Sequence, residues 1–268
     1  MWCRIAEVST TREAVRVRYE GPPVAECRLR AALLRWEPPG GGASDAARAV
    51  IAGAACEGAE GAVLWGWPDE EGRVLLRPGS DRAEFCSVLP PALSLALAFR
   101  RGGAEPGTRA LVIGDGFAAH YARAVASTVG CRVRWLPVGG DESGGAMVRP
   151  DIVVEASGDP RNLAWGIQVC RDWGTVYSLG GALASGALDY YTHVHRRALM
   201  VTHVPERPVL LPGEEEIIGR GFAGLTHALR GITPASEERL EVLVWPEGAP
   251  GRLARERSGW GLLLVDGP

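Results

Sequence analysis

The chain has no lysine: all 29 of its basic residues are arginine. That absence excludes a Schiff-base lysine, and with it ordinary pyridoxal phosphate and class I aldolase chemistry. It also excludes a P-loop or kinase-type phosphate lysine and a Ser–Tyr–Lys reductase site. Paired cysteines are missing too. Cys3, Cys27, Cys56, Cys86, Cys131 and Cys170 are spread along the chain without a C-x-x-C pair, so isolated thiols are expected, with neither a disulfide frame nor structural zinc. No apolar run reaches the roughly 18 residues of a membrane span. Met1-Trp2-Cys3-Arg4-Ile5-Ala6-Glu7 lacks the apolar core of a signal peptide, and a cytoplasmic location is expected. A net charge of −3 supplies no field to draw nucleic acid or an anionic membrane.

What is present suffices for a sizeable core. The 268 residues are 46% hydrophobic and 23% charged, enough for one large domain or two ordinary ones. Residues 1–90 hold short alternating runs, such as Val15-Arg16-Val17-Arg18-Tyr19, broken by Gly21-Pro22-Pro23, Pro38-Pro39-Gly40 and Arg77-Pro78-Gly79. They read as a β-rich unit with one helix near Asp45–Ala55. Residues 91–106 read as a linking helix with Pro91 at its start and Gly102-Gly103 past its end. From Gly107 apolar strands alternate with helices: strands at 109–113, 131–136, 151–156, 174–179 and 198–202, helices after Gly116 and from Pro160 to Asp172. This pattern predicts a parallel, doubly wound sheet over 91–204. Segment 205–268 offers a short helix after Pro212-Gly213-Glu214 and strands at 239–244 and 261–265, and is expected to return to the first section.

Gly114-Asp115-Gly116-Phe117-Ala118-Ala119 forms a G-x-G-x-x-A turn between a buried strand and a helix. The first glycine permits the tight turn, the second lets a pyrophosphate approach the backbone, and the small third residue lets helix pack on strand. The carboxylate of Asp115 would repel phosphate unless it points away.

The segment 106–136, which contains this turn, is similar to the first βαβ unit of the medium-chain dehydrogenase/reductase (zinc-alcohol-dehydrogenase-like) superfamily. Asp151-Ile152-Val153-Val154-Glu155-Ala156-Ser157-Gly158 resembles that family's D-V-V-(I/L)-E-x-(S/T)-G strand, and Gly174–Gly180 its G-x-V-x-x-x-G strand. Ala83-Glu84-Phe85 through Pro90 is like the edge of its GroES-like domain, so the resemblance covers roughly 83–204. It implies an α/β fold: a shortened Rossmann-like doubly wound parallel sheet plus a small, reduced GroES-like domain. It further implies that Gly114, Gly116 and Ala119 face the pyrophosphate of NAD or NADP, with Ser157 and Gly158 beside a ribose and Ser178 and Gly180 near the nicotinamide. A homodimer joined through the strand near Ala198–His203 also follows; such pairing would remove an exposed apolar edge.

The chain departs from this pattern in two places. About 14 residues separate Leu136 from Asp151, where the family fits a helix, a strand and another helix. No acid closes the Trp135-Leu136 strand, since Asp141 lies beyond the turn; Arg134 is the nearest base. The family's early Cys, its G-H-E motif and its four-cysteine lobe have no counterparts, so no metal is expected. Three of the five histidines fall between 193 and 203, and two of them, His193 and His195, lie inside Tyr190-Tyr191-Thr192-His193-Val194-His195-Arg196-Arg197, the densest group of titratable residues. Tyr190, Tyr191, His193 and His195 are the candidate proton donors, the alternative being a surface loop at the dimer interface. The leading expectation is a zinc-independent oxidoreductase acting on a small organic molecule in specialised biosynthesis. The alternatives are a non-catalytic scaffold or a non-redox cyclase or isomerase that reuses the pocket.

Overall fold

In the computed structural model the described residues are 2–10, 14–20, 28–37, 48–57, 63–68, 73–75, 77–78, 83–139, 149–179, 189–211, 214, 229, 241–245, 249–255 and 260–265. They fall into two compact units, Met1–Pro91 with Arg230–Pro268, and Ala92–Leu229. In chain order, β1 (Trp2–Thr10), β2 (Ala14–Glu20), β3 (Arg28–Glu37), β4 (Arg48–Glu57), β5 (Val63–Gly66), β6 (Arg73–Leu75) and β7 (Arg77–Pro78) precede helix α1 (Ala83–Arg101). Then come β8 (Arg109–Ile113), α2 (Gly116–Thr128), β9 (Arg132–Leu136), β10 (Ile152–Glu155), α3 (Pro160–Val169) and β11 (Thr175–Ser178). A π-helical turn at Tyr191–His195 leads to β12 (Met200–His203), followed by β13 (Glu241–Trp245), β14 (Ala249–Arg255) and β15 (Trp260–Val265).

Among the described residues the strands of the first unit form a ten-stranded sheet in the order β6-β1-β2-β13-β14-β15-β3-β4-β5-β7. Two expectations fail in it. The alanine-rich segment read as a helix near Asp45–Ala55 is the strand β4, paired antiparallel with β3 and β5. Alanine's helix preference is worth only tenths of a kcal/mol per residue. Ile51, Ala52, Ala54, Ala55 and Cys56 are all buried, so both faces of the strand are covered, which a helix of that sequence could not match. The linking helix begins at Ala83 rather than Pro91 and carries Pro90 and Pro91 inside it. Two prolines remove two backbone donors, and packing offsets that loss: a Cβ on Gly53 would stand 2.1 Å from the Ser87 carbonyl oxygen and 2.9 Å from Pro90 Cγ. Only glycine in β4 admits the helix at that distance.

The second unit is a five-stranded parallel sheet in the order β12-β11-β10-β8-β9. The fold is α/β, a Rossmann-like doubly wound sheet together with the β-rich unit. β8 connects through α2 outward to β9, whereas β10 connects through α3 in the opposite direction to β11. Right-handed crossovers running in opposite directions place the two helices on opposite faces. On the α3 face, Leu111, Ile113, Val153 and Val176 pack with Ile167, Val194 and Leu199. The strand order reverses between β8 and β10, and the carboxyl ends of the strands at such a switch point are where open α/β sheets take their ligands.

At the opposite, amino-terminal ends, Asp151 ties β10 to β8. Its carboxylate accepts from Arg109 Nε and Nη2, at 2.9 Å each, and from the Arg109 backbone N–H at 2.8 Å. The Arg109 hydrogen bonds, aided by the charge of Arg171, hold the Asp151 carboxyl at about 2, below the usual 3.8. A group so depressed stabilises the fold above its unfolded value, and that contribution is lost as pH falls through the folded one. Asp151→Asn is expected to cost about 1–2 kcal/mol at neutral pH, allowing for solvent screening of the half-exposed Arg109. Denaturant titrations of the two proteins should converge between pH 3.8 and about 2; a constant gap across that window would contradict the ion pair.

Candidate functional site

The glycine turn sits at the switch point. Gly114 has φ +127° and Gly116 φ +74°, values that only glycine adopts at no steric cost. Gly114 closes on the neighbouring turn after β10: a Cβ there would lie 2.7 Å from the Ser157 nitrogen. Ala119 is buried within α2, where a small side chain lets the helix approach β8. Asp115 occupies the N-cap position of α2 but makes no capping bond. Its Oδ2 instead accepts the Val138 N–H at 2.9 Å, so the carboxylate is turned toward the end of β9. Asp115 therefore does not cap the first-turn N–H groups, which every helix leaves without intrahelical acceptors, and this terminus carries the positive end of the helix dipole.

The turn after β10 is a different object. Glu155 is fully buried, and its Oε1 accepts from Ser157 N (2.7 Å), Ser157 Oγ (2.5 Å) and Gly158 N (3.0 Å). Ser157 Oγ in turn accepts from Asp159 N at 3.1 Å and Asn162 Nδ2 at 2.9 Å. The hydroxyl expected beside a ribose thus has its hydrogen and both lone pairs engaged. It is a strut of the β10–α3 turn, and the Glu155 Oε1 occupies donors that could otherwise have held an external anion. Burial outweighs the hydrogen bonds from Ser157 and Gly158 and raises the Glu155 carboxyl above its ordinary value. Its Oε2 is buried with no hydrogen-bond partner among the described residues. Glu155 is not among the candidate site residues of the sequence, where it appears only within the Asp151–Gly158 strand motif. The signal was available: an acid followed two and three residues later by Ser-Gly can bond its own turn.

Ser178 is buried at the end of β11, in register with Glu155 on one side and His203 on the other. Gly180, Asp141 and the helix expected after Pro212 lie outside the described residues. The tyrosine–histidine group forms a π-helical turn over Tyr191–His195. Tyr190 and Tyr191 are 64% and 63% exposed, and the Tyr191 ring lies 5.5 Å from that of His195. Val194 anchors the turn in the α3-side core. Among the described residues, no hydrogen bond, ion pair or ring contact joins Tyr190, Tyr191, His193 or His195 to the glycine turn.

Other reactive groups are accounted for by packing. Burial pushes the Cys170 thiol up to about 11 and the Tyr177 hydroxyl up to about 12, so neither ionises near neutral pH. Tyr177 donates to the Ala98 carbonyl at 2.8 Å. A cavity of about 230 Å³ between α1 and β12 has Arg101 and Tyr177 in its wall. Arg101 is already paired with Glu214 and the Val209 carbonyl. Among the described residues no three His, Cys, Asp or Glu side chains gather as a metal site, and no helix is long and apolar enough to cross a membrane.

A nicotinamide dinucleotide, which this fold commonly serves, fits the site in part. The α2 terminus and its two glycines suit a phosphate. Pro137 follows β9 where a ribose-binding acid is expected. No family model matches the chain, and no curated protein matches it. Among solved structures it is similar to 2R,3R-butanediol dehydrogenase from Bacillus subtilis, at 13% identity and a TM-score of 0.52 over 87% of this chain and 89% of that one. It is also similar to L-idonate 5-dehydrogenase from Escherichia coli, at 11% identity and 0.54 over 87% of each. A third is the short chain alcohol dehydrogenase of Escherichia coli CFT073 complexed with NADH, at 10% identity and 0.54 over 85% and 90%. At identities this low the likeness shows the fold alone.

Proposed function

We propose that this chain is a zinc-independent oxidoreductase of the medium-chain type, acting on a small organic molecule in specialised biosynthesis, with NAD or NADP as cofactor. One observation supports the reading: Asp115, at the N-cap of α2 by the switch point, accepts from Val138 instead of capping the helix, which favours an anion at that terminus. The NADH complex of a similarly folded chain supports it. When bound, the nicotinamide supplies the hydride chemistry. The chain's part is to seat phosphate on the Gly114–Gly116 turn and to hold the β10–α3 turn rigid through Glu155 and Ser157. Tyr190, Tyr191, His193 and His195 are the proton donors of this proposal. β12 is the outer strand of the sheet, and the proposal includes a homodimer that pairs it with its twin.

The test is titration of the purified protein with NADH and NADPH, following energy transfer from tryptophan to the reduced nicotinamide. Saturation at concentrations on the order of micromolar is expected. Absence of binding up to roughly millimolar, about 4 kcal/mol of affinity, overturns the redox reading in favour of a non-redox use of the crevice or a scaffold. Replacing the four Tyr and His residues together should abolish turnover without changing cofactor affinity; unchanged turnover would remove them from the mechanism.

A further inference from the structure

A dinucleotide-binding crevice holds its adenosine between the glycine turn and the end of the second strand. Here these two elements are sewn together. The Gly114 N–H donates to the Leu136 carbonyl at 3.0 Å. The indole Nε1 of Trp135 donates to the Gly114 carbonyl at 2.7 Å. Asp115 Oδ2 accepts the Val138 N–H at 2.9 Å. The Trp135 ring is held further by α2: the Arg123 guanidinium carbon lies 4.3 Å from its centroid, and the His120 ring 6.0 Å away. An indole fixed by a hydrogen bond and a cation–π contact does not swing aside at small cost. Among the described residues β9 is also the outermost strand of the sheet, and none of their strands lies beyond it on the adenine side.

We propose that Trp135, backed by Asp115, sets the ligand size of this crevice. The indole takes the adenosine side, and the site engages a phosphate with a single nucleoside, a ligand of mononucleotide size. A dinucleotide then binds through its nicotinamide half, and its adenosine adds nothing. The Asp115 carboxylate beside the turn also disfavours a further phosphate on that side. The inference rests on the phosphate reading of the glycine turn given above.

Calorimetric titration with NADH, reduced nicotinamide mononucleotide and ADP-ribose tests it on binding alone. In the unmodified protein NADH and the mononucleotide should bind within about threefold of each other, and ADP-ribose should bind at least about tenfold more weakly than either. Trp135→Ala vacates the adenosine side and should tighten NADH and ADP-ribose at least about tenfold while leaving the mononucleotide unchanged. Trp135→Phe keeps a ring there and should show no gain. If the unmodified protein binds NADH tenfold or more tighter than the mononucleotide, the role of Trp135 is overturned and the oxidoreductase reading stands. If neither nicotinamide ligand binds the unmodified protein or the alanine variant, the phosphate reading itself falls, and this inference with it. Should Trp135→Ala fail to fold, the ratio of NADH to mononucleotide affinity in the unmodified protein still decides.

Discussion

Gly114→Ala is expected to destabilise the parallel-sheet unit by about 3 kcal/mol and to lower its thermal midpoint by about 8 °C. Two costs combine. At φ +127° an alanine Cβ is strained regardless of the space around it. Space is absent as well: the Cβ would stand 2.7 Å from Ser157 N, 3.0 Å from the Ala156 carbonyl carbon and 3.1 Å from Ser157 Cα. All three are backbone atoms, so no side chain can rotate out of the way. The turns after β8 and β10 must instead move apart, which opens the switch point on which the crevice depends. Gly103→Ala is the control. Gly103 also has a positive φ, +71°, but nothing lies within 4 Å of its Cβ position, so only the conformational cost of about 1 kcal/mol applies. Calorimetric melting of both variants separates the terms. Equal midpoints for the two would mean that the close approach of the two turns does not exist.

Glu155 carries the second large effect. Glu155→Ala leaves the N–H groups of Ser157 and Gly158 and the Ser157 hydroxyl without their acceptor, at an expected cost of about 3 kcal/mol. Glu155→Gln keeps a carbonyl oxygen for those donors and removes the ionisation. Its effect is read in pH dependence, because the new amide nitrogen inherits the unpartnered place of Oε2 and costs about 1 kcal/mol. Burial raises the Glu155 carboxyl above its ordinary 4.5. A raised acid favours the folded state while protonated. That contribution is complete below 4.5 and is lost as pH rises through the folded value. The unmodified protein should therefore lose stability relative to Glu155→Gln on going from acid toward neutral pH. Asp151 acts in the opposite sense and in a separate window, below 3.8, so the two groups are resolved in one series of denaturation curves. Parallel curves for the unmodified protein and Glu155→Gln above 4.5 would show that the buried carboxyl is not perturbed.

Much of the second unit is legible in the sequence because its strands are short apolar runs closed by turn residues. Arg109–Ile113, Ile152–Glu155 and Thr175–Ser178 are buried on both faces and read as parallel strands without reference to anything outside themselves. The glycine turn is legible for the same reason, since φ +127° and φ +74° are local demands that only glycine meets without strain. In β4 and α1 the local signals pointed elsewhere. Alanine-rich β4 looks helical and Pro90-Pro91 looks like a helix start. Each was decided by a partner distant in sequence: β3 and β5 for the strand, and the Gly53 surface for the helix. Intrinsic preferences of a few tenths of a kcal/mol per residue yield to the burial of whole side chains, at roughly 1.5–3 kcal/mol each.

The candidate site divides along the same line. The sequence by itself determined the lack of lysine chemistry, the alternation that builds a parallel sheet, and the glycine turn at its first strand-to-helix connection, because composition and short-range spacing encode these. Tertiary structure alone decided that Asp115 faces Val138 instead of capping α2, and that Trp135 reaches back to the Gly114 carbonyl. Each of these depends on where a side chain finds a hydrogen-bond partner. The Asp115 and Trp135 partners lie more than twenty residues away along the chain, and only the pairing of β8 with β9 brings them within reach.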